Sequence, residues 1–205
     1  MSEAGILFIV SAPSGAGKTS LLRELVPADE RLVVSVSHAT RAMRPGERDG
    51  QHYHFVTTEH FEQLVGEGAF LEHARVFDNY YGTSEAAVRE SLAQGLDVVL
   101  EIDWQGARQV RRRFPQAVSI FIAPPSIDAL RERLSGRGQD SAEIVERRMA
   151  DARNELSHYP EYDYLVINDD FATALAELRC LVTAERLREP RQSARFTEAL
   201  ADMLG

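Results

Sequence analysis

Lys18 and Thr19 close the run Ser11-Ala-Pro-Ser-Gly-Ala-Gly-Lys-Thr19, and that spacing suits one task, holding nucleotide phosphates. Gly15 and Gly17 keep side-chain bulk away from the anion, and loop backbone N–H groups point inward at it. Lys18 then reaches the β- and γ-phosphates, and the Thr19 hydroxyl can ligate magnesium. Where the pattern prefers glycine, six residues before the lysine, this chain has Ala12; its extra methyl narrows the loop without being expected to block a nucleotide. Arg41 and Arg44 offer two guanidinium forks that can clamp one dianionic phosphate with bidentate hydrogen bonds. Glu101 and Asp103 end an apolar run two residues apart, on one face of a strand, and beside phosphates such acids orient magnesium waters. Glu72 alternates with Leu71 and is expected to face a cleft. No Ser-His-Asp or Cys-His arrangement is visible, and the 6 histidines show no metal-ligand spacing.

These residues need a scaffold that brings them together. Residues 6–10 form a continuous apolar run, the pattern of a strand buried on both faces in a parallel sheet. Residues 18–25 read as a helix with Leu21, Leu22 and Leu25 on one side. Strand, glycine loop and helix start make a phosphate cradle at the positive end of a helix dipole. Further strands are expected at 32–36, 97–102, 117–122 and 164–167, and helices at 84–93, 105–113, 127–134, 142–156, 172–187 and 193–203. Alternating strands and helices predict a parallel sheet with helices on both faces.

Two regions break that rhythm. Between His38 and Gly82 lie an arginine-rich loop, short runs at 52–56 and 70–77, and a helix from Thr58. They predict a small mixed α+β insert of two half-buried strands and a helix. Tyr81 is expected at a strand-to-helix corner, with Ser84 capping the helix that follows. The second break, Ser135-Gly-Arg-Gly-Gln-Asp140, separates two helices. Asp140 with Glu143 forms a capping-box-like start, and a helix pair on such a turn can move as a lid.

Composition narrows the function classes. The 205 residues are enough for one α/β domain with an insert, and 44% apolar content favours folding over disorder. A net charge of −9 and a pI near 5.2 argue against a duplex-DNA binder, which needs a basic face. Cys180, the single cysteine, permits no internal disulfide and is expected as a small buried helix residue. The start Met1-Ser-Glu-Ala4 lacks the basic region of a signal peptide, and no run approaches the ~20 apolar residues of a membrane span. A soluble, cytoplasmic protein with no nucleic-acid or membrane partner is expected. The amphipathic tail 191–205, with Phe196, Leu200 and Met203 on one side, is expected to cover the core, or otherwise to mediate self-association into a homo-oligomer.

Taken in order, the pieces resemble the guanylate kinase family. They are 11–19, Ser37 with Thr40-Arg41, Arg44-Pro-Gly-Glu47, Tyr53, Phe70-Leu-Glu72 and Asn79-Tyr-Tyr-Gly82. Glu101-Ile-Asp-Trp-Gln-Gly106, Arg137, Arg147-Arg148 and Asn168-Asp-Asp170 complete the set. The resemblance spans residues 6–187. It implies a P-loop NTPase fold with a five-stranded parallel core sheet and helices on both faces, a mixed α+β GMP-binding insert and a small helical lid. The expected division is core 1–37, 95–126 and 160–205, insert 38–94 and lid 127–159. It further implies ATP + GMP giving ADP + GDP, with dGMP as a second acceptor and Mg²⁺ accompanying ATP.

By resemblance, Ala12, Pro13, Ser14, Gly15, Ala16, Gly17, Lys18, Thr19 and Ser20 hold ATP, with Asn168 on the adenine side. Ser37 and Thr83 contact the purine, and Tyr53, Tyr81, Arg41 and Arg44 hold the GMP phosphate. Asp103 is expected at the metal with Thr19, and Glu101 on the guanine side. Trp104 is expected as packing. The chemistry fits independently, because the attacking phosphate oxygen is already ionised and no general base is required. Two polyanions held in line do need positive charge, which Lys18, Arg41, Arg44, Arg137 and Arg148 supply. Guanine presents N1–H and the 2-amino group side by side, and the Glu72 carboxylate can accept from both. Adenine offers an acceptor at N1 and nothing at position 2, so such a site discriminates by roughly 10⁴ or more. The competing readings are a non-catalytic guanylate-kinase-like binding module and a related kinase for a ribose bisphosphate.

Overall fold

The computed structural model describes residues 4–76, 78–135 and 142–204, with backbone alone for 142–145. Among the described residues the strands are β1 (Leu7–Ser11), β2 (Leu32–Val34), β3 (His38–Ala39), β4 (His54–Phe55), β5 (Phe70–Val76), β6 (Asn79–Ser84), β7 (Asp97–Glu101), β8 (Val118–Ala123) and β9 (Tyr164–Ile167). The α-helices are α1 (Lys18–Leu25), α2 (Thr58–Gly66), α3 (Glu85–Ala93), α4 (Trp104–Arg113), α5 (Ile127–Ser135), α6 (Ala142–Leu156), α7 (Phe171–Arg186), α8 (Glu189–Arg195) and α9 (Thr197–Leu204).

The core sheet runs β2-β7-β1-β8-β9, parallel throughout. β1 lies in its middle, which is why its residues are apolar on both faces. Phe8 and Val10 pack with Leu21, Leu22 and Leu25 of α1 and Leu178 of α7. Leu7 and Ile9 pack the other way, with Val88 of α3 and Val110 of α4. Each such fully buried side chain contributes about 1.5–3 kcal/mol. The expected α/β architecture with helices on both faces is what the chain forms. At the edge of this core the buried Asp97 accepts from Ile6 N at 2.7 Å and from Arg186 Nε at 2.6 Å, so its charge is paired where burial would otherwise cost several kcal/mol.

The insert is more elaborate than expected. Among the described residues it holds a four-stranded mixed sheet, β4-β3-β6-β5, rather than two strands. β3 is two residues long, too short to show a period, and β6 (Asn-Tyr-Tyr-Gly-Thr-Ser) has no apolar run. Tyr81 therefore sits inside β6, paired with Ala39 and Ala74, and not at a corner. Gly82 is required there, since a Cβ would come within 3.0 Å of the Phe61 and Phe70 rings. Ser84 does cap α3, accepting from Ala87 N.

The α5–α6 pair packs through the buried Leu130, Leu134, Met149 and Ala152. Residues 136–141, with Arg137 and the expected Asp140 cap, lie outside the described residues, as does the Glu143 side chain.

Two further expectations are overturned. The tail is not one helix against the core; it forms α8 and α9, broken at Phe196, with Phe196, Leu200 and Met203 44%, 40% and 79% exposed. An amphipathic pattern says that a helix has an apolar side, not what that side meets. Cys180 is exposed, because α7 buries the face carrying Ala174, Leu178 and Val182 and turns position 180 outward.

Candidate active site

The phosphate loop leaves the C-terminal end of β1 and enters α1. Gly15 and Gly17 take φ of 89° and 92°, the left-handed region that residues with a Cβ avoid. Packing imposes glycine as well. A Cβ on Gly17 would lie 2.4 Å from Asn168 Nδ2, and one on Gly15 would lie 2.9 Å from Leu134 Cδ2. Asn168 is buried beneath the loop, donating through Nδ2 to Ala16 O at 2.7 Å. The residue expected on the adenine side thus braces the cradle from below.

Glu101 stands opposite Val10 in the β1–β7 register, so the last residue of β7 lies beside the exit of β1. There Glu101 Oε1 accepts from Thr19 Oγ1 at 2.5 Å. Lys18 Nζ is 3.5 Å from Ile102 O. Asp103 has already left the strand. It is the N-cap of α4, accepting from Gly106 N at 2.8 Å. Both acids line the same cleft: Glu101 hydrogen-bonds Thr19 of the phosphate loop, while the Asp103 charge reaches Glu72 and helps it retain its proton. Strand alternation could not show this, because the chain stops being a strand after Glu101.

Glu72 is 4% exposed. Its Oε1 accepts from Thr83 Oγ1 at 2.5 Å, and Thr83 in turn contacts Ser37 Oγ at 3.3 Å. Burial pushes the Glu72 carboxyl up to about 7 against the Thr83 hydrogen bond, with the nearby Asp103 charge adding to the rise. Gly106 is what admits this carboxylate, since a Cβ there would lie 2.6 Å from Glu72 Oε2.

Across the cleft, Arg41 is pre-aimed. Its Nη1 and Nη2 donate to Glu47 Oε2 and Oε1, both at 2.6 Å, and its guanidinium lies 4.9 Å from the Tyr53 ring centroid. The fork holds the Glu47 carboxyl down to about 2. Glu47 also accepts from Arg44 N at 2.7 Å, which folds the arginine loop around one carboxylate. Tyr53 and Tyr81 meet edge to face, centroids 5.9 Å apart.

These side chains converge. A cleft of about 220 Å³ is lined by Lys18, Ser37, Arg41, Arg44, Tyr53, Glu72, Tyr81, Glu101 and Asp103, nine of the expected residues. Thr83 is fully buried behind Glu72. From the lid, Arg148 Nη2 donates to Ser14 Oγ at 3.2 Å, and Glu155 Oε2 accepts from Ser14 N at 3.0 Å. Beyond α6, Trp104 stacks on His158 at 3.8 Å and Arg108 forks onto Glu161 at 2.8 and 2.6 Å; Trp104 is packing, as expected. Arg137 lies outside the described residues. Sequence reading missed Glu155, the aiming role of Glu47 and the need for glycine at 106. The spacing of Glu155 from Arg148, seven residues or two helical turns, is the one signal that could have flagged it.

The guanylate kinase family model matches residues 5–185. The chain belongs to the guanylate kinase family. A guanylate kinase of Alkalilimnicola ehrlichii is 59% identical over 201 residues, covering 98% of this chain and 99% of its own. That of Chromohalobacter salexigens is 61% identical over 200 residues, covering 98% and 93%. Among solved structures, guanylate kinase from Anaplasma phagocytophilum aligns with a TM-score of 0.76 at 34% identity, over 93% of this chain and 91% of that one. Membership in the guanylate kinase family makes the chain a kinase, a transferase enzyme, and nothing in its site favours the binding-module or ribose-bisphosphate alternatives.

Proposed function

We propose that this chain transfers the γ-phosphoryl group of ATP to GMP, and to dGMP, by direct in-line displacement, using the residues that meet in the cleft. The observation that carries the reading is the convergence on one 220 Å³ cleft of Lys18, the Arg41–Arg44 clamp and the buried Glu72. ATP phosphates lie on the loop 12–20, against Lys18 and the positive end of α1. The GMP phosphate takes Arg41, Arg44, Tyr53 and Tyr81. Guanine N1–H and the 2-amino group donate to the carboxylates of Glu72 and, beside it, Asp103, with Ser37 and Thr83 completing the polar wall. The acceptor oxygen is ionised, so these residues position and neutralise rather than move a proton.

Thr19 and Glu101 present hard oxygen donors 2.5 Å apart, a set that fits magnesium, which takes one or two carboxylates and the substrate phosphates. Bound there, it would neutralise charge on the β- and γ-oxygens. Glu101 replaces Asp103 in that role. Core, insert and lid divide as 1–37 with 95–126 and 160–205, 38–94, and 127–159, and closure of the lid brings Arg148 to the phosphates and excludes water. Among the described residues no helix is long and apolar enough to cross a membrane, and we place the enzyme in the cytoplasm, working on free nucleotides.

A panel of GMP, dGMP, AMP, CMP and UMP assayed with ATP and Mg²⁺ tests the reading. GMP and dGMP should turn over and the others should not; a preparation inert toward GMP would overturn it. Lys18→Met should abolish transfer without unfolding the protein, and retained turnover would remove Lys18 from the mechanism.

A further inference from the structure

We propose that Glu155 is a positioning residue for phosphoryl transfer: by accepting the Ser14 backbone N–H it seats lid helix α6 on the phosphate loop and sets where Arg148 lies. This rests on the phosphate-cradle reading above. Two side chains of α6 meet the same loop residue, Glu155 Oε2 at Ser14 N (3.0 Å) and Arg148 Nη2 at Ser14 Oγ (3.2 Å). They are seven positions apart, two turns, and so share one side of the helix. With α6 already packed on α5 through Met149 and Ala152, the two contacts on Ser14 tie that packed pair to the phosphate loop at two points.

Just past the end of α6, Trp104 of α4 stacks on His158, so Glu155 stands between that anchored point and the reaching arginine. Burial raises the Glu155 carboxyl; the Ser14 N–H and Lys18 oppose the rise, while Asp103 and Asp151 add to it. Misplacing a transfer group by about 1 Å costs on the order of 10²-fold in rate, so a contact that fixes Arg148 through Ser14 acts on kcat and leaves GMP binding alone.

The experiment compares Glu155→Gln, which keeps an acceptor and loses the charge, with Glu155→Ala, which loses both, each also in an Arg148→Ala background. Glu155→Gln should keep kcat within about threefold, and Glu155→Ala should lose about 10–100-fold with KM for GMP unchanged. In the Arg148→Ala background Glu155→Ala should cost less than about threefold, since the two act as one unit. Equal losses in Glu155→Gln and Glu155→Ala, a loss appearing in KM for GMP, or losses that multiply independently in the double variant would each overturn the proposal. A Glu155→Ala protein too unstable to assay leaves the outcome to Glu155→Gln, where a kcat loss beyond threefold is the overturning result. Lys18→Met serves as the control: if it stays active the cradle reading itself fails, whatever the Glu155 variants do.

Discussion

The Thr19 hydroxyl donates to the Glu101 carboxylate at 2.5 Å, which sets the acid that ends β7 beside the phosphate loop, while Asp103, two residues on, caps α4. That relationship follows from sheet register: Val10 and Glu101 are partners, and Val10 is one residue from the loop. It predicts different defects for the two acids. Glu101→Gln should lower kcat by about 10²-fold, a size typical of losing one transition-state electrostatic group, and shift the magnesium titration to higher concentration. Asp103→Asn should act mainly through KM for GMP and leave the magnesium titration in place. Magnesium titrations of both variants at saturating nucleotide check this.

Glu72 makes GMP binding pH-dependent. Its carboxyl is raised from the ordinary 4.5 to about 7 by burial, yet guanine must find it ionised to donate two hydrogen bonds to it. KM for GMP should therefore rise about tenfold between pH 8 and pH 6. The GMP phosphate also titrates in that window, so Glu72→Gln is the reference, and its profile should lack the Glu72 component. A wild-type profile that coincides with that of Glu72→Gln would exclude a titrating Glu72.

The same shift has a stability consequence of opposite sense to function. The folded chain holds the Glu72 proton more tightly than the unfolded one, so this contribution to stability is fullest below pH 4.5 and is lost as pH rises through about 7. At pH 8 Glu72→Gln should be more stable than wild type by about 3 kcal/mol, even as it loses GMP. Thermal or urea unfolding at pH 8 of the two proteins decides it, and an unchanged or lower midpoint would count against a buried, charged Glu72.

Glu47 aims Arg41 through two hydrogen bonds of 2.6 Å each. Glu47→Gln keeps the size of the side chain but replaces one acceptor oxygen with a donor facing a guanidinium. KM for GMP should rise about tenfold, the loss expected when a charged hydrogen-bond pair worth about 1.5–3 kcal/mol is weakened, with KM for ATP unchanged. Because the pair holds Glu47 down to about 2, this support should persist at every pH where the enzyme is folded and assayable.

Gly17→Ala would meet two obstacles, a φ of 92° and Asn168 Nδ2 at 2.4 Å from the new Cβ. The variant should lose about 1–3 kcal/mol of stability and weaken ATP more than GMP, because the displaced Asn168 supports Ala16 in the ATP loop. Denaturation together with separate KM values for ATP and GMP tests both parts.

Much of this enzyme was legible in its residues because the informative patterns were local. The apolar run before the glycine loop, the alternation of strands with helices, the α6 boundaries and the β9 boundaries all depend on neighbours in the chain, and the structure keeps them. The insert was harder. β3 has two residues and β6 is polar with a glycine in it, so their strand character comes from partners across the sheet and not from a period of their own.

What the amino-acid order determined by itself was the chemistry at hand: a glycine loop with Lys18 and Thr19, arginines at 41 and 44, and a lone acid at 72 in an apolar run. Tertiary structure decided that Glu101 meets Thr19, that Thr83 and burial tune Glu72, that Asn168 and Glu155 hold the phosphate loop, and that the C-terminal helices leave their apolar side exposed. The reason is physical. Periodicity reports which side of an element avoids water, whereas a carboxylate's partner, a proton's affinity and a glycine's necessity depend on atoms brought near from elsewhere in the chain, as Thr83 is to Glu72 from 11 positions away and Ala16 to Asn168 from 152.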